Sequence, residues 1–166
     1  MNLPVLSRSC ASLILAVGFC MVGVATAAET NPYLLEKEPK NPRQVNTIRD
    51  EAKDGEDVIV TGRIGGRENP WIKDAAAFSI VDTSLKSCDQ NPDETCPTPW
   101  DYCCEADVAK STLMIKFTDE AGKLVKQDAR ELLGVKELQT VVIEGKVKRD
   151  KNNNVSLMAS KIFVKE

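Results

Sequence analysis

The hydrophobic period of this chain switches from helical to two near residue 57, and the count of period-two stretches after the switch restricts the fold more than any other feature. Before the switch, Val45, Ile48 and Ala52 recur at helical spacing, which puts them on one face of a short N-terminal helix. Asn41 is placed to cap that helix, Pro42 suits its first position, and Gly55 sits where a C-terminal glycine belongs. After it, Asp57–Ile64 carries Val58, Val60 and Ile64 on one face. Residues 75–82 present Phe78 and Ile80, and residues 111–119 present Leu113, Ile115 and Phe117. Residues 138–147 alternate Val141, Ile143, Gly145 and Val147 against Glu144 and Lys146. Residues 154–165 form a fifth stretch whose phase shifts near Ser160 and Lys161, as at a β-bulge. A helical stretch over 126–133, stopped by Gly134, separates the third strand from the fourth.

Three strands, one helix and two strands is the plan of an all-β, five-stranded OB-fold, a small Greek-key barrel. Gly62 and Gly145 suit it, because a small closed barrel bends its strands sharply and glycine relieves crowding at the bends. Two segments carry a family resemblance. EDVIVTGRI followed by FSIVDTS resembles the opening of OB-fold domains of the tRNA-anticodon-binding and helicase type. VVIEGKV followed by VSLMASKIFV resembles their close. The resemblance spans 57–164 and is interrupted by the cysteine segment. It implies that single-stranded nucleic acid crosses strands two and three, between the loop joining strands one and two and the loop joining strands four and five. The matching loops here are 63–73, with Arg63, Arg67, Trp71 and Lys73, and 146–151, with Lys146, Lys148, Arg149 and Lys151. Cations beside an aromatic supply phosphate attraction and a stacking surface. The plainer reading of the same residues is that the cations solvate hairpin tips and Trp71 plugs one end of the barrel.

The N-terminus reads as a secretory signal over 1–27. Arg8 is its positive region, 13–24 is apolar and uncharged, and Ala25-Thr26-Ala27 is a small-x-small cleavage site. The expectation is a secreted or periplasmic protein with no membrane attachment once that segment is removed. Residues 28–41 are polar and without apolar period, so a flexible leader is expected before an OB domain over 42–166. A net charge of −3 supplies no broad field for nucleic acid or anionic lipid. The chain has no histidine, which removes imidazole metal ligands and histidine-based nucleophilic catalysis.

Cys10 and Cys20 fall within the signal. Cys88, Cys96, Cys103 and Cys104 crowd into CDQNPDETCPTPWDYCC, inside an insertion over 83–110 that is too polar to hold one shape by apolar burial. An even set of cysteines in an exported domain reads as disulfides. Cys103 and Cys104 would each pair with Cys88 or Cys96, in either of two connectivities. A four-thiolate metal site is the alternative, but zinc sites favour C-x₂₋₄-C pairs, and redox exchange lacks its C-x-x-C. Asp89, Asn91, Asp93 and Glu94 read as a solvated acidic turn, not a calcium loop. Neither metal nor cofactor is expected. Trp100 and Tyr102 have two readings, a cover over the cross-links or an exposed contact surface.

No nucleophile–base pair, phosphate loop or acid pair is visible, so the chain reads as a non-catalytic binding module. The expected site is the barrel groove, taking a small or oligomeric ligand such as single-stranded nucleic acid. The rivals are an envelope protein-interaction module built on the insertion and a thiolate metal or redox protein.

Overall fold

Strand β2 (Asp57–Ile64) pairs antiparallel with two long-range partners, and that double engagement closes the sheet. The structure, a computed structural model, describes residues 31–91 and 95–165. The signal expected over 1–27 lies outside the described residues, as do residues 28–30 and the acidic pair Asp93 and Glu94. The elements are β1 (Arg43–Gln44), α1 (Val45–Glu51), β2, β3 (Ala77–Val81), β4 (Thr112–Phe117), α2 (Ala129–Leu133), β5 (Thr140–Arg149) and β6 (Val155–Val164). Antiparallel pairs join β2–β3, β3–β4, β5–β6 and β2–β5, the parallel pair β4–β6 completes the ring, and β1 adds to β2 in parallel outside it. This is a closed five-stranded OB-like barrel, as the order of strands and helix predicts.

The alternation builds the core directly. Val58, Val60 and Ile64 of β2, Phe78 and Ile80 of β3, and Leu113, Ile115 and Phe117 of β4 all point inward and are buried. So do Val141, Ile143 and Val147 of β5. On β6 the inward residues are Leu157, Ala159 and Ile162, whose spacing breaks strict alternation. The break is the anticipated bulge: Glu144 faces Lys161 and Gly145 faces Ala159, leaving Ser160 as the extra residue. Gly145 is required at that crossing. A Cβ there would stand 2.5 Å from the Met158 carbonyl oxygen and 2.9 Å from Ala159 Cα.

Three expectations are corrected. The N-terminal helix begins at Val45, because Arg43–Gln44 is held extended against Val60 and Thr61 of β2. Its cap is not Asn41 but the buried Asp82 at the end of β3, whose carboxylate accepts the Asn46 N–H at 2.8 Å. Gly55, at φ +81°, serves the turn into β2, not the helix end. The second helix is shorter than 126–133, because Val125 is held extended by hydrogen bonds to Ala76 and Phe117. Asp128 caps it and Gly134 closes it at φ +67°.

The leader is the third correction. Residues 31–35 are docked on the barrel, not loose, and Glu38 pairs with Lys165. Beyond the bulge, β6 has no β4 partner, and the leader fills that edge: Ile162 N–H donates to Tyr33 and Leu35 N–H donates to Ile162, both at 2.8 Å. Tyr33 packs edge-on against Phe117 at 5.6 Å. The backbone of β6 thereby finds the partners that burial demands.

Replacing Gly145 by alanine is expected to cost about 1–3 kcal/mol, because the new methyl overpacks a backbone crossing that cannot open without breaking the ring. Thermal or urea unfolding reads this directly, and a midpoint equal to that of the native chain would contradict the close crossing.

Candidate ligand groove and sulfur cluster

Of the cations expected to ring one groove, most are engaged in holding the fold. Lys146 Nζ contacts Asp57 Oδ2 at 2.8 Å and Lys148 Nζ contacts Asp54 Oδ2 at 3.2 Å. Arg149 donates from Nε to the Ala52 carbonyl at 2.9 Å and from its guanidinium to the Arg49 carbonyl, closing the C-terminal end of α1. Its own N–H reaches Asp54 Oδ1 at 2.7 Å. That N–H, followed by Lys148, holds the Asp54 carboxyl below its ordinary value.

The first loop divides. Arg63 turns into the insertion, donating to Ser87 Oγ at 2.8 Å. Trp71 is buried, its indole N–H on the Glu137 carboxylate, its ring 5.5 Å from Phe78 and 5.5 Å from the Arg130 guanidinium. It plugs the barrel and is absent from the groove. Lys73 is exposed and does not line the groove. Arg67 is exposed at the groove and enters no ion pair among the described residues.

The insertion folds back over the barrel. Gly66 N–H donates to the Trp100 carbonyl at 2.8 Å, and the Trp100 indole donates to the Glu68 carbonyl at 2.9 Å. Trp100 is therefore a half-buried brace. Tyr102 is fully buried, so it is no contact surface. Burial pushes its phenol up, with Arg63 pulling the other way, and its hydroxyl finds no hydrogen-bond partner among the described residues. Beneath the brace, the β2–β3 loop lies across the outer face of β3. Ser79 N–H donates to the Pro70 carbonyl at 2.9 Å, and Ser79 Oγ to the Gly65 carbonyl at 2.6 Å. A Cβ on Gly66 would meet Val81 and Thr112 at 2.6 and 2.8 Å. The part of the barrel face that a crossing strand would use is roofed.

What stays open is a groove of about 470 Å³. The outward residues of β4, Thr112 and Met114, line it with Val155 of β6. Gly66 and Arg67 enter from the β2–β3 loop, Asn153 and Asn154 from the β5–β6 hairpin, Val108 and Ala109 from the end of the insertion. Arg49 joins them from α1 and donates to the Thr112 carbonyl. Among the described residues no tryptophan, tyrosine or phenylalanine lines it. Thr112 and Met114 were legible as the outward partners of Leu113 and Ile115. Asn153 and Asn154 belong to the polar stretch DKNNN, which by itself signals only a turn, and Arg49 carries no signal of its own. A larger hollow, about 930 Å³, lies on the outer face of β2, β5 and β6 beside the bulge, where Lys146 and Asp57 neutralise one another.

The four sulfurs gather at one place. Cys103 Sγ stands 3.6 Å from Cys88, 4.0 Å from Cys96 and 3.9 Å from Cys104. A disulfide needs about 2.05 Å, so among the described cysteines no pair is at bonding distance, and the expected staple does not join any two of them. Asp101 Oδ1 lies 3.9 Å from Cys88 Sγ and accepts the Cys103 N–H at 2.9 Å. Burial opposes the charge on Asp101, but the Cys103 N–H and the Thr98 hydroxyl outweigh it and hold the carboxyl low. The thiols of Cys88 and Cys104 push the Cys103 thiol up.

No protein-family model and no curated protein matches the chain. Among solved structures it is similar to one assigned as an aspartyl-tRNA synthetase from Leishmania major Friedlin, with a TM-score of 0.43 and 11% identity over 80% of this chain. The chain spans 22% of that protein's length.

Because the folded state holds Asp54 below its ordinary value of 3.8, its pairing stabilises the protein above that value and is lost as pH falls through the lower folded one. The effect is small at an exposed site. Unfolding midpoints measured between about pH 5 and pH 2 are expected to fall less steeply for Asp54→Asn than for the native chain. Parallel curves would contradict the pairing with Arg149 and Lys148.

Proposed function

We propose that this chain is a non-catalytic binding module that holds a short, phosphate-bearing ligand, of one or two nucleotides, in the groove beside β4. One observation carries the reading: among the described residues Arg67 reaches the groove without an ion-pair partner, while Lys146, Lys148 and Arg149 are occupied by carboxylates or carbonyls. The volume of about 470 Å³ falls in the range of small-ligand sites, about 300–1,000 Å³. The Asn153 and Asn154 amides add donors at the hairpin side. The OB-like barrel places those loops together, which is the fold's usual ligand position.

The roof over β3 and the lack of a lining aromatic narrow the ligand further. A long single strand has neither a track nor a stacking platform here. Affinity then rests on phosphate contacts and falls with salt. The reading of an exported protein rests on the composition of residues 1–27 alone.

Calorimetric titration with a thymidine dinucleotide and with a longer oligothymidine, at low and at high salt, tests the proposal. Binding is expected at low salt, with no gain for the longer strand beyond its larger number of equivalent sites. Arg67→Ala is expected to weaken binding about tenfold and to reduce the salt slope by about one. Salt-independent binding, no binding at low salt, or an Arg67→Ala variant equal to the native chain would overturn it.

A further inference from the structure

We propose that Cys88, Cys96, Cys103 and Asp101 form a structural binding site for one zinc-class divalent cation. The four ligand atoms all lie within 4.8 Å of one another. Zinc holds thiolate sulfur at about 2.3 Å in a tetrahedron, so two such sulfurs stand about 3.8 Å apart. The observed separations from Cys103 Sγ to Cys88 and Cys96 are 3.6 and 4.0 Å, on either side of that edge. Disulfide-bonded sulfurs stand at about half that distance.

The backbone pre-forms the arrangement. Cys88 opens one 3₁₀ turn, Cys88–Gln90, and Asp101 closes another, Pro99–Asp101, and the two turns pack together. Tyr102, at φ +60°, then reverses the chain so that the Cys103 N–H meets the Asp101 carboxylate. The second oxygen of Asp101 accepts the Thr98 hydroxyl at 2.9 Å, an outer contact of the kind that orients metal-bound carboxylates. Burial is graded from Cys88, enclosed, through Cys96, half-buried, to Cys103, exposed, which leaves a path for the ion.

The insertion also needs such a centre. Among its described residues only Ser87, Cys88 and Tyr102 are buried, too little apolar surface to fix so long a polar loop. Thiolate coordination couples metal affinity to folding. On binding, the three thiols of Cys88, Cys96 and Cys103 each release a proton to solvent, Asp101 enters as carboxylate, and no oxidation state changes. Soft sulfur donors with one carboxylate favour zinc over calcium or magnesium. The sequence spacing, which lacks the usual C-x₂₋₄-C pairs, is bypassed because the two 3₁₀ turns, not a single knuckle, bring the ligands together.

The test uses the full chain, purified with and without reductant and in the absence of chelator. Native mass spectrometry and elemental analysis are expected to give one zinc per chain. Replacing zinc by cobalt(II) is expected to produce thiolate-to-metal charge-transfer bands and the visible bands of a tetrahedral site. Cys103→Ser is expected to lower cobalt affinity about a hundredfold or more, and Asp101→Asn about tenfold. Cys104→Ser is expected to leave affinity within about twofold of the native chain, since the site is complete without that thiol. Should Cys103→Ser fail to fold, chelator competition on the native chain and Asp101→Asn decide. Fully oxidised cysteines without metal in both preparations, cobalt bound without thiolate bands, or affinity unmoved by Asp101→Asn would overturn the assignment.

Discussion

Everything in this molecule depends on one seam, the antiparallel pairing of β2 with β5 from Asp57–Lys146 to Arg63–Thr140. That pairing turns an open sheet into a ring and removes its free edges. It also sets the side-chain alternation on both strands, so that Val60 and Ile143 face the same interior. Closure demands a sharp bend where β5 crosses β6. Gly145 and the extra residue Ser160 supply it, one by having no side chain and the other by shifting the register. Phe78 and Phe117, stacked at 6.2 Å, fill the centre.

The ring fixes where the loops can go. The insertion between β3 and β4 leaves β3 at the end opposite to the β2–β3 loop, but it folds back over the barrel, and the two brace each other through Gly66, Glu68 and Trp100. That brace has two effects. It roofs the outer face of β3, and it leaves beside β4 a groove bordered by Arg67 and by Asn153 and Asn154 of the hairpin. The groove is thus as well defined as the insertion, and the insertion, nearly without a core of its own, is as well defined as the contacts around its sulfurs and carboxylate.

The barrel was legible because alternation reports burial, and burial is what a closed sheet enforces. Leu113, Ile115 and Phe117 named the inside of β4 and, by the same count, Met114 named its outside. The phase break at Ser160 was legible for the same reason. Features set by contacts distant in sequence were not legible. Asp82 caps α1 from the far end of β3, overriding the local cap that Asn41 and Pro42 suggested. The leader docks through backbone groups of Tyr33 and Leu35, which carry no periodic signal. Lys146, Lys148 and Arg149 looked like a binding patch because their partners, Asp54, Asp57 and the end of α1, lie about ninety residues upstream. Trp71 carried two readings, groove aromatic or barrel plug, and Tyr102 two, contact surface or cover over the cross-links; the polar segments around them could not decide, and both are buried. The cysteine spacing suggested pairs, whereas two 3₁₀ turns gather the sulfurs at one point.

The proposed ligand groove lies beside β4, framed by the insertion and the hairpin. Amide chemical-shift mapping of the isotope-labelled chain, titrated at low salt with a thymidine dinucleotide, tests it most directly. The expected result is perturbation concentrated at Gly66, Arg67, Thr112, Met114, Asn153 and Asn154. Perturbation centred instead on the hollow between Lys40 and Ser160, or spread evenly over exposed lysines, would contradict the account.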